Sequence, residues 1–393
     1  MHDHEGRPAS AGIRRRTLLE LGAAAAVAPA VSALMGGAAS ADDDNDEKTR
    51  SSSRFTVDPF WPKPLPDKWI TGEVAGSAID ARDHLWTVNR RNLTDTEQRM
   101  VRENAANPSP AIIEFDQAGS VVNSWTAPVM PDGLHGIFID HHGYVWIAGN
   151  GDGIVQKYDR DGNLKLQIGT KGVRDTTNHS TTLLNRPSDI AIDPTNDEIY
   201  ISDGYGNRRL VVFDRNGSYL RQWGEQGTNA EAEAGTPYRF REVVHAVNLG
   251  ADGLVYVNDR KGDRIHVYTK GHGTVPGDFV KNIWINKGVG WRMDPVHVAA
   301  GNGPAIGSAW DAAFSTDKDQ TFIYNTDGEE QINWTVPRTS DHPIARYGRG
   351  GHQAGDFTYN HTITVDSKGN VYVAETVRGR RLQKFKPEGR DQG

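Results

Sequence analysis

Apolar and polar positions alternate along this chain in short runs that come in pairs, and the paired pattern recurs six times. Each pair is an alternating run closed by Asp or another turn residue, then a polar bend, then a second alternating run. The copies are residues 76–80 with 85–88, 136–140 with 145–148, 189–193 with 199–202, 246–250 with 255–258, 311–315 with 321–324, and 362–366 with 371–374. A period of two, with bends rich in Asp, Asn and Gly, predicts β-hairpins. Further runs, as at 209–213 and 381–385 and then at 218–223, predict a third and a fourth strand downstream of most hairpins. Four antiparallel strands repeated roughly every 50 to 65 residues describe blades, and six blades close a ring. The expected fold is all-β, a six-bladed β-propeller of four-stranded antiparallel blades over residues 54–388. Residues 54–61 are expected to add a strand to the last blade. The spacing exceeds the usual blade length, which predicts long rim loops at 92–110 and 271–307.

Composition agrees with many strands joined by tight turns: Gly 43, Pro 19, Trp 10 and Tyr 12. The net charge of −7 is spread over both signs without long basic runs beyond the N-terminus, which argues against nucleic acid as a partner. There is no cysteine, so any metal site must draw on His, carboxylate or carbonyl ligands. At the N-terminus, Arg14, Arg15 and Arg16 precede an alanine-rich apolar stretch (18–35), and Ala39, Ser40 and Ala41 supply small residues for cleavage. Residues 1–41 are therefore expected to be a twin-arginine-type signal peptide and 42–53 an acidic, polar linker. The corresponding expectation is export in folded form to the periplasm or beyond. Pro29, Gly36 and Gly37 interrupt the short apolar stretch, so no integral membrane span is expected in the mature form.

Candidate chemistry comes from aligning the six units. Five positions before the residue that ends each innermost strand, blades two, four and six carry His135, His245 and His361, where blades one, three and five carry Ala75, Ser188 and Trp310. Equivalent positions in alternate blades of a six-fold ring lie about 120° apart and face the axis. Three imidazoles converging there, with a fourth position open, suit one divalent metal ion, zinc first among several that all-nitrogen ligation accepts. His84, His141, His142, His272 and His352 fall in turns or loops and read as surface residues.

The chain returns to the same end after each second strand. There blade one presents Arg90, blade four Arg260 and, one residue further on, blade three Tyr205. Two guanidiniums beside a cation would bind an anionic substrate, or else pair with acids such as Asp95, Glu97 or Asp259. Tyr205 is a candidate general base or a packing residue.

The hairpins, with 203–210 (Asp-Gly-Tyr-Gly-Asn-Arg-Arg-Leu) and 379–385 (Gly-Arg-Arg-Leu-Gln-Lys-Phe), resemble NHL repeats, and residues 54–388 resemble peptidyl-α-hydroxyglycine α-amidating lyase and its bacterial relatives. The resemblance implies zinc on His135, His245 and His361, a catalytic role for Tyr205, and substrate binding by Arg90 and Arg260. It also implies lyase cleavage of a carbinolamide-like or α-hydroxy C–N or C–O bond, releasing an amide and glyoxylate. The expected partner is a small-molecule or peptide-like anionic substrate. Three positions depart from that family: Gly206 replaces a disulfide cysteine, Tyr359 a methionine, and Thr362 an acidic calcium ligand, which argues against calcium in the channel. Two other classes stay open. One is a metal-dependent hydrolase or lactonase, whose sites favour Glu, Asp and Asn; the other is a non-enzymatic NHL module that binds a ligand or protein.

Overall fold

The computed structural model describes residues 54–291 and 305–388. The expected signal peptide (1–41) and linker (42–53) lie outside the described residues. Six four-stranded antiparallel sheets form the blades. The innermost strands are Val74–Ile79, Leu134–Ile139, Asp189–Ile192, Val244–Leu249, Asp311–Phe314 and Asn360–Val365, each packed against the next until the sixth meets the first. The ring is shut by Phe55–Asp58, which pairs antiparallel with Leu382–Pro387 as the outermost strand of the sixth blade. That strand is the one expected from residues 54–61.

The core is divided. A separate apolar cluster lies between each pair of neighbouring blades, such as Trp86, Ile112, Ile137 and Ile147 between blades one and two, or Tyr200, Val212, Val247 and Val257 between three and four. Alternation explains this, because each strand has side chains on both faces of its sheet and both faces are covered by a neighbour. The last interface, between blades six and one, is filled by Trp61, Leu85, Phe115 and Tyr372.

The turn aspartates also have a structural reason. Asp140 Oδ1 accepts from the backbone N–H of His142 (3.0 Å) and Tyr144 (2.9 Å), while its Oδ2 accepts from Trp146 Nε1 at 2.8 Å. Asp80 does the same with Arg82, His84 and Trp86, and Asp366 with Lys368, Asn370 and the Tyr372 hydroxyl. One carboxylate thus caps the bend and locks the aromatic residue of the returning strand.

The rim segments differ from the expectation of long loops. Residues 92–110 contain a helix, Asp95–Arg102, begun by a capping box in which Thr94 and Glu97 satisfy each other's backbone. Within 271–307, Phe279–Trp284 is the fourth strand of blade four, paired with Arg264–Thr269. Gly and Pro on either side of it break the alternation that would have marked it. Residues 292–304 lie outside the described residues. No helix among the described residues is long and apolar enough to cross a membrane.

Candidate metal centre

His135, His245 and His361 meet on the axis. Their ring centroids are 4.9 Å (135–245), 4.6 Å (135–361) and 4.9 Å (245–361) apart, and each residue is no more than 2% exposed. Each histidine sits at a β-bulge, where the register of its strand slips against the second strand of the blade, between Leu134 and Ile137, Val244 and Ala246, and Asn360 and Thr362. A bulge re-aims the extra residue, which here turns a histidine toward the channel.

The odd blades fix the orientation of these rings. Nδ1 of His135 donates to the Ser188 carbonyl at 2.8 Å, that of His245 to the Trp310 carbonyl at 2.7 Å, and that of His361 to the Ala75 carbonyl at 2.8 Å. Ala75, Ser188 and Trp310 are the residues that hold the histidine's place in the blades without one, so imidazole and carbonyl alternate around the ring. Because a carbonyl only accepts, each Nδ1 carries the proton and each Nε2 presents a lone pair to the axis. Burial holds all three well below the ordinary histidine range, in the neutral form that ligates metals, helped at His135 by His361, His245 and Arg90, at His245 by His361, Arg260 and Arg90, and at His361 by Arg90 and Arg260.

The donor set fits a cation. One ligand nitrogen from each ring lies within 4.8 Å of the others. Nitrogens around one zinc ion lie about 3.4 Å apart, so the set closes on an ion with shifts of about an ångström. Three buried neutral imidazoles with no carboxylate among them leave the charge of such an ion to be balanced by an anion.

The other predicted residues gather over this trio. The Tyr205 hydroxyl lies 3.1 Å from His135 Nε2 and 3.4 Å from His245 Nε2. Arg260 NH1 donates to that hydroxyl at 3.3 Å, and its guanidinium stacks over Trp310 at 4.8 Å from the ring centre. Arg260 is 8% exposed, its Nε has no partner, and it pairs with no acid among the described residues. Asp259, the expected alternative partner, is taken by Arg264. Arg90 is different: it pairs with Glu73 at 2.5 Å and donates from Nε to the Leu134 carbonyl at 2.9 Å. Glu97, another expected partner, pairs with Arg380 instead. Sequence reasoning missed Glu73, and it missed Arg186, whose guanidinium lies 5.5 Å from the Tyr205 ring on one contact as Arg260 lies 5.6 Å on another. Neither falls at the repeat position that singled out the others.

The motif at 203–210 is explained by burial. Arg209, fully buried, donates from Nε to Asp203 at 2.9 Å and from its other nitrogens to the carbonyls of Ser180 and Leu183. An acid that ends the second strand and an arginine that begins the third thus hold the turn carrying Tyr205. Residues 184–213 match the NHL repeat family.

The chain carries an NHL repeat. It is similar to human NHL repeat-containing protein 3, with 27% identity over 352 residues, 85% of this chain and 84% of that protein. It is also similar to a probable peptidyl-α-hydroxyglycine α-amidating lyase of Caenorhabditis elegans, 27% identical over 216 residues, or 52% of this chain and 58% of that one. Against peptidyl-glycine α-amidating monooxygenase A of Xenopus laevis the identity is 27% over 54% of this chain and 22% of that protein. Among solved structures, a gluconolactonase of Xanthomonas campestris shares the fold, with a TM-score of 0.51, 12% identity, and coverage of 86% of this chain and 92% of that chain.

Proposed function

We propose that this protein is a metal-dependent lyase acting on an N-acyl-α-hydroxyglycine or a closely related carboxylate-bearing carbinolamide. The observation that carries the reading is the alternation of imidazole and carbonyl around the axis, which presents three neutral Nε2 donors beneath a phenol and an unpaired guanidinium. The distant similarity to amidating lyases supports the choice of reaction. His135, His245 and His361 would hold the ion; when bound, zinc supplies Lewis acidity toward the substrate hydroxyl.

The residues around it have separate tasks. Arg260, lacking an acidic partner, holds the substrate carboxylate, and Arg90, already balanced by Glu73, adds a weaker attraction. Tyr205 Oη accepts the proton of the substrate hydroxyl as it hands its own phenolic proton to the departing amide nitrogen; the C–O bond becomes C=O, the C–N bond breaks, and the products are an amide and glyoxylate with Tyr205 again a phenol. Atoms balance without water, oxidant or reductant. Trp310, against both the guanidinium and the His245 ring, keeps water from that side of the carboxylate site.

The test is glyoxylate release from N-acyl-α-hydroxyglycines by the purified, zinc-loaded protein. His245→Ala is expected to abolish release and bound axial zinc together. Full turnover by rigorously metal-free wild-type protein would overturn the reading, as would an inert wild-type protein that hydrolyses lactones.

A further inference from the structure

The innermost strand of blade two ends at Ile139, and the bend that follows carries His141 and His142, which the sequence alone presents as surface residues. Their rings lie together, with centroids 3.9 Å apart, and both point their Nε2 at one atom of the next blade. That atom is Oδ1 of Asp197, 3.2 Å from His141 and 2.9 Å from His142. The three side chains are 33%, 50% and 26% exposed. We propose that His141, His142 and Asp197 form a second divalent-metal site, specific for a late transition ion such as zinc, at the opposite end of the propeller from the axial trio.

Two nitrogens and a carboxylate oxygen are the donor set of many zinc sites that keep an exchangeable position. The separations of 2.9 and 3.2 Å are those of neighbouring donors about one ion with bonds of about 2 Å. The hydrogen bond between His142 and Asp197 and the approach of His141 to the same oxygen already converge the two Nε2 atoms, so binding requires little rearrangement. The hydrogen bond from His142 holds Asp197 below the ordinary carboxylate range, aided by the charges of His142, His141 and Arg215.

The place of the site in the fold separates it from the axial trio. His135 and His141 stand six positions apart along the extended innermost strand and its bend, roughly 20 Å, so no ligand is shared. His142 and Asp197 also border a cleft of about 500 Å³ lined by Tyr144, Lys157 and Arg215. Two cations beside the open position favour water or a small oxyanion as the remaining ligand over a second metal ion. The ion would bridge the bends of blades two and three.

The experiment is a titration of the full-length, metal-stripped protein with zinc chloride, followed by calorimetry and by cobalt absorption after substitution. Wild-type protein is expected to bind two equivalents. Asp197→Asn, and separately His142→Ala, should weaken one of them at least tenfold, leaving glyoxylate release and the axial equivalent unchanged, while His245→Ala removes only the other. An unchanged isotherm in both Asp197→Asn and His142→Ala would overturn the proposal, as would binding at the bend only at millimolar zinc. If His245→Ala leaves the number bound unaltered while Asp197→Asn removes one, the axial reading fails and this one stands.

Discussion

At the scale of single residues, the site is legible where it follows the repeat and hidden where it depends on the backbone. His135, His245 and His361 stand out because one position of the unit alternates between histidine and something else. The same count exposes Ala75, Ser188 and Trp310, yet their contribution is a carbonyl, which every residue has, so no side chain advertises it. Arg186 and Glu73 were hidden for a related reason: each lies before a first strand, off the aligned positions. Tyr205→Phe keeps the ring between its arginines but removes the proton carrier; a fall in kcat of about 10²- to 10⁴-fold with KM nearly unchanged is expected in steady-state assays. Arg260→Ala should raise KM by about ten- to a hundredfold, the cost of losing a charged hydrogen bond, and Arg90→Ala should do much less because Glu73 already balances that charge. Equal effects of the two substitutions would contradict the assignment of the carboxylate to Arg260.

At the scale of elements, alternation places all six hairpins, the third strands at 209–213 and 381–385 and the fourth at 218–223, since each strand face meets an apolar neighbour. Phe279–Trp284 escaped because the preceding stretch is broken by Gly271, Gly273, Pro276 and Gly277, and because Lys281 and Asn282 weaken its pattern. The bulges that aim the histidines leave no local mark, because an extra residue in a strand shows only against its partner. The inner strands approach one another so closely that small residues are required: a Cβ on Gly136 would stand 2.5 Å from the Ser188 carbonyl oxygen, the acceptor of His135. Gly136→Ala should therefore cost about 1–3 kcal/mol in urea unfolding and weaken axial zinc binding as well, through the displaced carbonyl.

At the scale of the whole molecule, stability is shared among six inter-blade clusters and a closure made by the first described strand. Phe55 packs against Tyr324 and Tyr347 at 5.2 and 4.8 Å, so Phe55→Ala should destabilise the ring by about 1–3 kcal/mol, read as a lower urea midpoint. The axial histidines couple the molecule to pH. Their folded-state values lie below the unfolded 6.5, so the unfolded chain binds more protons in the interval between, and stability rises with pH across it. The metal-free protein should lose stability as pH falls below about 6.5, and His245→Asn should shallow that slope in denaturant titrations at successive pH values. The strand that shuts the ring also sets the order of assembly. Phe55 finds its partner Pro387 only after all six blades have emerged, and His361 arrives with that same sixth blade. A nascent chain that stops short of His361 can therefore offer two imidazoles at most, so a loaded centre would certify that the first strand of the sixth blade had been made.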